Sequence, residues 1–246
     1  MSGLFNPENA FWKFMGKLWD ALWLSILWTV CSIPIVTIGA STTALYYVTM
    51  KLVKDEETYV TKQFFKAFKL NFKQSTIVWI LMLLCLIGII SSFFYFLYQD
   101  SKFATFVMGL AFVMFIIWIF ISIYIYAGIA RFTNSIKNLF VIAATFASKH
   151  IGWTLLNILI EVLIVAVAYV FPPMFIPGMG WIAFFQSFSI RKIFDKYIIM
   201  YLHIDPRTGE ALEQDAEGNY VLPREKDILT EDVDMSVFEV RENKQE

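Results

Sequence analysis

Four stretches of this chain carry no charged side chain: Ala21–Met50, Gln74–Gln99, Phe103–Ala130 and Val162–Ile190. Each is at least as long as the roughly 20 residues a helix needs to cross a hydrocarbon core about 30 Å thick. A soluble fold has no use for four such runs. The overall composition agrees, at 58% hydrophobic and only 17% charged residues, against about a quarter charged in an ordinary soluble domain. The chain reads as an all-α polytopic membrane protein.

Two of the runs are interrupted by turn formers. Pro34 and Gly39 bracket a break in "SIPIVTIGAS", and Pro172, Pro173, Pro177, Gly178 and Gly180 crowd "VFPPMFIPGMGW". Such residues end helices, so each run is expected to fold as a hairpin. This gives about six spans in three hairpins, near 18–35, 39–53, 76–98, 103–129, 151–171 and 176–191. The N-terminus "MSGLFNPENAFWKFMGKLWD" lacks the pattern of a cleaved signal peptide, so the first apolar run is expected to be retained. Cys31 and Cys85 fall inside apolar runs and read as small buried side chains.

Lys and Arg in the short loops set the orientation. One side collects Lys13 and Lys17, then Lys51, Lys54, Lys62, Lys66, Lys69 and Lys73, then Arg131, Lys137 and Lys149, and finally Arg191, Lys192 and Lys196. The other side has Lys102. Both termini are therefore expected in the cytoplasm, with the chain in the cell membrane and the lipid bilayer as its surroundings.

The segment "YVTKQFFKAFKLNFKQ" between the second and third spans places Phe64, Phe65, Phe68 and Phe72 on one helical arc and Lys62, Lys66, Lys69 and Lys73 on the next. This is the pattern of an amphipathic helix on the inner leaflet, with rings at the headgroup boundary and lysine stems reaching anionic lipid. A docking surface for a soluble partner is compatible with it. A faint repeat occurs 75 residues on, where "KNLFVIAATFASKHIGWT" echoes "KQFFKAFKLNFKQSTIVW". The unit of cytoplasmic helix followed by span is therefore expected twice. From His203 onward, 13 acids stand against 5 basic residues, which reads as an acidic, flexible cytoplasmic tail.

Glu161 is the acid inside the fifth span. Asn157, Thr154 and His150 precede it at i−4, i−7 and i−11, so four polar side chains share one stripe about 16 Å long. A carboxylate at that depth costs roughly 2.5–3.5 kcal/mol on insertion scales, so it should face other helices or a water-filled cavity. One reading is a proton or substrate site; the other is an interhelical clamp to a group such as Gln186 or Ser189. A second candidate is the helix end at Gly39, Ser41, Thr42 and Thr43, suited either to an anionic or hydroxyl-rich ligand or to close helix packing, the better supported of the two.

Catalytic patterns are missing from the sequence. There are two histidines, no His/Cys cluster and no phosphate-binding glycine loop, so no metal, cofactor, nucleic-acid partner or enzymatic activity is expected.

Three segments resemble the YesL-like family of bacterial integral membrane proteins of unknown function: "IPIVTIGASTTALYYVTMKLV", "VTKQFFKAFKLNFKQSTIVWIL" and "FPPMFIPGMGWIAFFQSF". Ala40 stands where that family usually has proline. Family members often accompany genes for carbohydrate uptake, including sugar ABC transporters. The resemblance therefore implies an accessory role beside oligosaccharide import, with permease subunits as partners. The rival expectations are a transporter or channel using the His150–Glu161 stripe and, more remotely, a membrane-embedded enzyme.

Overall fold

The computed structural model describes residues 10–54, 59–99, 101–199 and 212, and these form seven helices joined by short turns. They are α1 (Ala10–Cys31), α2 (Ile38–Val53), α3 (Val60–Leu97), α4 (Lys102–Arg131), α5 (Ile136–Lys149), α6 (Ile151–Val170) and α7 (Phe175–Tyr197). The acidic tail expected from His203 lies outside the described residues, apart from Leu212.

Local chemistry sets the ends of these helices. Pro34 offers no amide to continue α1, and a 3₁₀ turn over Ile35–Thr37 leads into α2. Ser101 caps α4 by accepting from the Ala104 amide at 3.1 Å, and Ser135 caps α5 through the Asn138 amide. The Pro172–Pro173 pair disfavours helix at Phe171 and ends α6.

Two expected breaks fall elsewhere. Gly39 does not turn the chain but lies buried inside α2, and Gly178 and Gly180 likewise lie buried inside α7. Their role is close approach. A Cβ on Gly39 would meet the Ser75 carbonyl oxygen at 2.5 Å and Trp79 Cβ at 2.6 Å, so α2 and α3 touch along their backbones there.

The segment expected as a separate inner-leaflet helix also differs. Residues Val60–Lys73 are the first turns of α3, which runs unbroken for 38 residues, about 57 Å at 1.5 Å per residue. No breaker stands at the junction, where the sequence reads Gln74, Ser75, Thr76. The second copy of the faint repeat does break, because the backbone leaves helical geometry at His150. Spin labels at Lys62 and Phe94, both exposed, should therefore lie about 48 Å apart along one rod. A distance near 35 Å would mean a right-angled bend and a helix lying on the leaflet.

α2 sits at the centre, packed against α1, α3, α4 and α7. Eleven of its sixteen residues are buried. α3, α6 and the N-terminal part of α4 stand on the outside, while Ile123–Arg131 of α4 enters the core; α3, α4 and α6 are the helices long and apolar enough to cross a membrane. In their most apolar stretches no more than 11% of residues are buried. Leu84, Ile87, Phe94, Phe106, Phe112, Leu159 and Leu163 point outward, while Ser41, Thr43, Thr49, Asn157, Gln186 and Ser187 are inside. An apolar exterior of this extent, around a core that also holds paired polar side chains, fits a hydrocarbon surround.

α3 and α4 also outreach the rest. The Trp79 indole donates to the Ile35 carbonyl at 2.8 Å, fixing where the α1–α2 turn meets α3. The eighteen residues of α3 beyond that point, Ile80–Leu97, extend about 27 Å further. No residue of α3 after Met82 is buried. Cys31 and Cys85 are free thiols, the former partly buried and the latter exposed.

Candidate functional site

The hydroxyls and amides of the inner helices form a chain of hydrogen bonds centred on α2 and α7. The Tyr46 hydroxyl donates to Gln186 Oε1. Thr49 and Ser187 share a bond of 2.8 Å. Ser75 of α3 donates to Thr43 at 2.8 Å. On the α6 side, Gln186 Nε2 donates to the Asn157 carbonyl at 3.2 Å, and Ser189 donates to Asn157 Oδ1 at 2.6 Å. Tyr124 of α4 and Thr154 of α6 pair at 2.9 Å. Five helices are thereby joined by groups that hydrocarbon could not satisfy.

This network places the expected stripe. Thr154 and Asn157 are fully buried and bonded. His150 is half-buried at the α5–α6 junction, and its pKa is lowered, first by burial and then by the positive charges of Lys196 and Lys149. Glu161 lies at the outer edge of the α6–α7 seam, exposed on the bare chain, with Gln186 as its polar neighbour. Thr154, Asn157 and Glu161 share a face of α6, His150 lies at the non-helical junction before it, and only Thr154 and Asn157 enter the core.

The other candidate group is absorbed into packing. Ser41 and Thr42 return their hydroxyls to the Thr37 and Ile38 carbonyls at 3.0 and 2.7 Å. Thr42 also accepts from the Trp28 indole, and Thr43 accepts from Ser75. With Gly39 pressed on α3, this end is occupied by protein. In the amphipathic segment Lys62, Lys66, Lys69 and Lys73 are all exposed, as are Phe65 and Phe72. Phe68 is half-buried, whereas Phe64 is wholly buried in the core.

A charged cluster at the C-terminal ends of α2, α4 and α7 has no counterpart among the residues singled out from sequence. Arg131 Nη2 lies 3.1 Å from Asp195 Oδ1, and Arg191 Nε lies 3.2 Å from Asp195 Oδ2. Arg191 Nη1 also donates to the Met50 carbonyl at 2.8 Å, in the last turn of α2, where such carbonyls lack helical partners. All three side chains are less than a tenth exposed. One carboxylate therefore holds two guanidiniums from two helices, and one of these caps a third. The i,i+4 spacing of Arg191 and Asp195 is a visible signal; Arg131, 64 residues away, is not. Next to the cluster, Phe132, Phe146, Phe194 and Tyr197 pack ring on ring at 5.0–6.0 Å and hold α5 in place.

Among the described residues no group of three or more His, Cys, Asp or Glu could hold a metal ion. The polar network, the apolar exterior and the three helices long and apolar enough to cross a membrane together give the described residues the character of an all-helical membrane protein. Residues 21–93, covering most of α1, all of α2 and most of α3, match the model of the family described as Protein of unknown function, DUF624. That family includes the YesL-like bacterial membrane proteins, so the resemblance read from these residues holds. No curated protein and no solved structure gives a match.

Proposed function

We propose that this chain is an accessory protein of the cytoplasmic membrane that works by helix contact beside a carbohydrate ABC permease, and not by a conduit of its own. The observation that supports contact over conduction is that Thr154 and Asn157 are buried, with the Thr154 hydroxyl and Asn157 Oδ1 bonded to Tyr124 and Ser189, so that only Asn157 Nδ2 is left without a partner. A path for solute needs such groups facing water. The exposed apolar lengths of α3, α4 and α6 offer surfaces to partner helices. The sugar-transport setting comes from the YesL-like resemblance alone. The test is purification in mild detergent from the native membrane with mass spectrometry, set beside substrate uptake by the protein alone in liposomes. Uptake by the protein alone would refute the accessory reading.

The rival carrier reading draws on Glu161, whose carboxyl at the rim of the α6–α7 seam, beside Gln186, would suit a proton site. Glu161→Gln separates the two. For an accessory protein the amide should leave stability within about 1 kcal/mol of the parent and partner capture unchanged. Abolished function in a folded protein would favour the carrier.

The topology we propose keeps both ends of the described chain on the cytoplasmic side, in line with the Lys and Arg distribution, but differs from six full crossings. α2 is only about 24 Å long, and its turn to α1 stops about 27 Å short of the α3 end. α3, α4 and α6 then cross, α7 returns the chain beside α6, and α1–α2 re-enters from the inner side, with α2 enclosed by protein. A membrane-impermeant thiol reagent applied outside should not modify Ile33→Cys, in the α1–α2 turn, on a background free of Cys31 and Cys85. Labelling as fast as at Lys102→Cys would restore a full crossing.

A further inference from the structure

The first turns of α3 expose a face of mixed lysines and rings. Lys62, Phe65, Lys66, Lys69, Phe72 and Lys73 fall within one arc of about 120° at 3.6 residues per turn. All six are exposed, while Phe64, Ala67 and Ser75 on the opposite side are buried. We propose that this face is the docking site for a segment of the chain's own C-terminal tail, residues 227–240, "DILTEDVDMSVFEV".

Charge and apolar character match on the two sides. Residues 58–73 carry four lysines and no acid, whereas the tail segment carries five acids, Asp227, Glu231, Asp232, Asp234 and Glu239, and no basic residue. Asp55, Glu56 and Glu57 precede α3, yet residues 51–73 as a whole hold six lysines against these three acids, a net charge of +3. Seven of the fourteen tail residues are apolar, Leu229, Val233 and Phe238 among them. They can cover the Phe65 and Phe72 rings, which a purely acidic tail would leave wet.

Position favours the tail over the leaflet. The uncharged part of α3 starts at Gln74, and Lys66 and Lys62 stand about 12 and 18 Å from it along one unbroken axis. The potential of an anionic leaflet fades within a Debye length of about 8 Å, so these two lysines lie beyond it. The tail, in turn, starts at the right end of the bundle. Arg191 Nη1 reaches the Met50 carbonyl, which sets the end of α7 beside the end of α2, and α3 begins seven residues after α2 stops. From Ile199 to Asp227 the chain runs 28 residues, up to about 90 Å when extended. A tethered segment acts at roughly millimolar effective concentration, so even a weak contact is populated. The inference rests on the crossing of α3 proposed above, with residues 60–73 on the cytoplasmic side.

The test is the distance between spin labels at Leu70→Cys and Ser236→Cys in the full chain in mild detergent, with Cys31 and Cys85 replaced. A docked segment gives a narrow distribution within about 25 Å, whereas a free tether of this length spreads over about 30 Å or more. Reversing Lys62, Lys66, Lys69 and Lys73 to Glu should reduce the short component at least threefold. Reversing Asp227, Glu231, Asp232 and Asp234 to Lys should do the same without touching α3, and the two reversals together should restore it. A distribution that ignores either reversal, or a combined variant that stays spread, would overturn the proposal. The measurement is then repeated in nanodiscs containing phosphatidylglycerol, where the short component should persist. Its loss, with the label at position 70 entering lipid, would assign this face to the leaflet instead. The detergent result does not depend on topology, which outside labelling at position 66 checks separately.

Discussion

Replacing Asp195 by alanine is expected to cost about 3–5 kcal/mol, among the largest single effects in the molecule, because it leaves two buried guanidiniums without their common counter-charge. Arg131 and Arg191 are each less than a tenth exposed and cannot recover water without moving α4 or α7. Asp195→Asn should lose nearly as much, since it keeps the shape but not the charge. A triple replacement of Arg131, Asp195 and Arg191 by Met, Leu and Met should regain most of the loss, as apolar side chains of similar volume often do in place of buried ion pairs. Arg191 also caps α2 through the Met50 carbonyl, so recovery should stop short of the parent. The measurement is the unfolding midpoint in a mixed-micelle denaturant titration. An Asp195→Ala protein within 1 kcal/mol of the parent would show that the cluster is not a clasp.

Gly180→Ala should be comparably damaging for a different reason. A Cβ at this position would fall on the Ala21 carbonyl oxygen and come within 3.0 Å of Ser25 Cβ. A backbone atom cannot swing aside as a side-chain tip does, so α1 must move off α7. That movement also breaks the bond from the Gly180 amide to Ser25 Oγ, now 2.9 Å. Overpacking usually costs about 1–3 kcal/mol, and a backbone collision belongs at or above the upper end. Gly178→Ala is the control, two residues away on the same helix. Its added methyl would meet Ile164 Cγ2 at 3.7 Å, an ordinary contact, and should be close to neutral. If the two variants unfold together, the close approach of α1 and α7 is not as tight as described.

How far the sequence discloses this fold depends on the kind of signal. The apolar runs mark α2, α4 and α6 to within a few residues, because the absence of charge over 20 positions has one physical explanation, while α1, α3 and α7 run on into charged sequence. Pro34 and the Pro172–Pro173 pair mark ends reliably, since a missing amide acts locally. The glycines mislead. Gly39 and Gly180 look like turn residues beside those prolines, and only the neighbouring helix shows that they are contact points. Nor does an uncharged run say whether it faces lipid or protein. α2 and the first two-thirds of α4 are both uncharged over most of their length, yet one is the core and the other largely the exterior; the difference lies in the Thr and Ser residues of α2, whose partners are Ser75 and Ser187. Of the stripe from His150 to Glu161, the last three residues share a face of α6 whose middle is buried and whose end, Glu161, lies at the rim, while His150 falls at the break between α5 and α6. Asp195 escapes notice because charge near a span end is read for orientation, which hides a carboxylate paired with an arginine 64 residues distant.

The central position of α2 has a consequence for biosynthesis. Its hydroxyls find their partners on α7, with Thr49 and Ser187 separated by 138 residues and Tyr46 and Gln186 by 140. At about 5–20 residues per second, α2 leaves the ribosome roughly 7–28 seconds before α7. During that interval the Tyr46 and Thr49 side chains wait without their final partners, and a helix of sixteen residues has little hold on a bilayer by itself. The last of the described helices to emerge is thus the one that secures the second, so a nascent chain interrupted before α7 should be a ready substrate for membrane proteases.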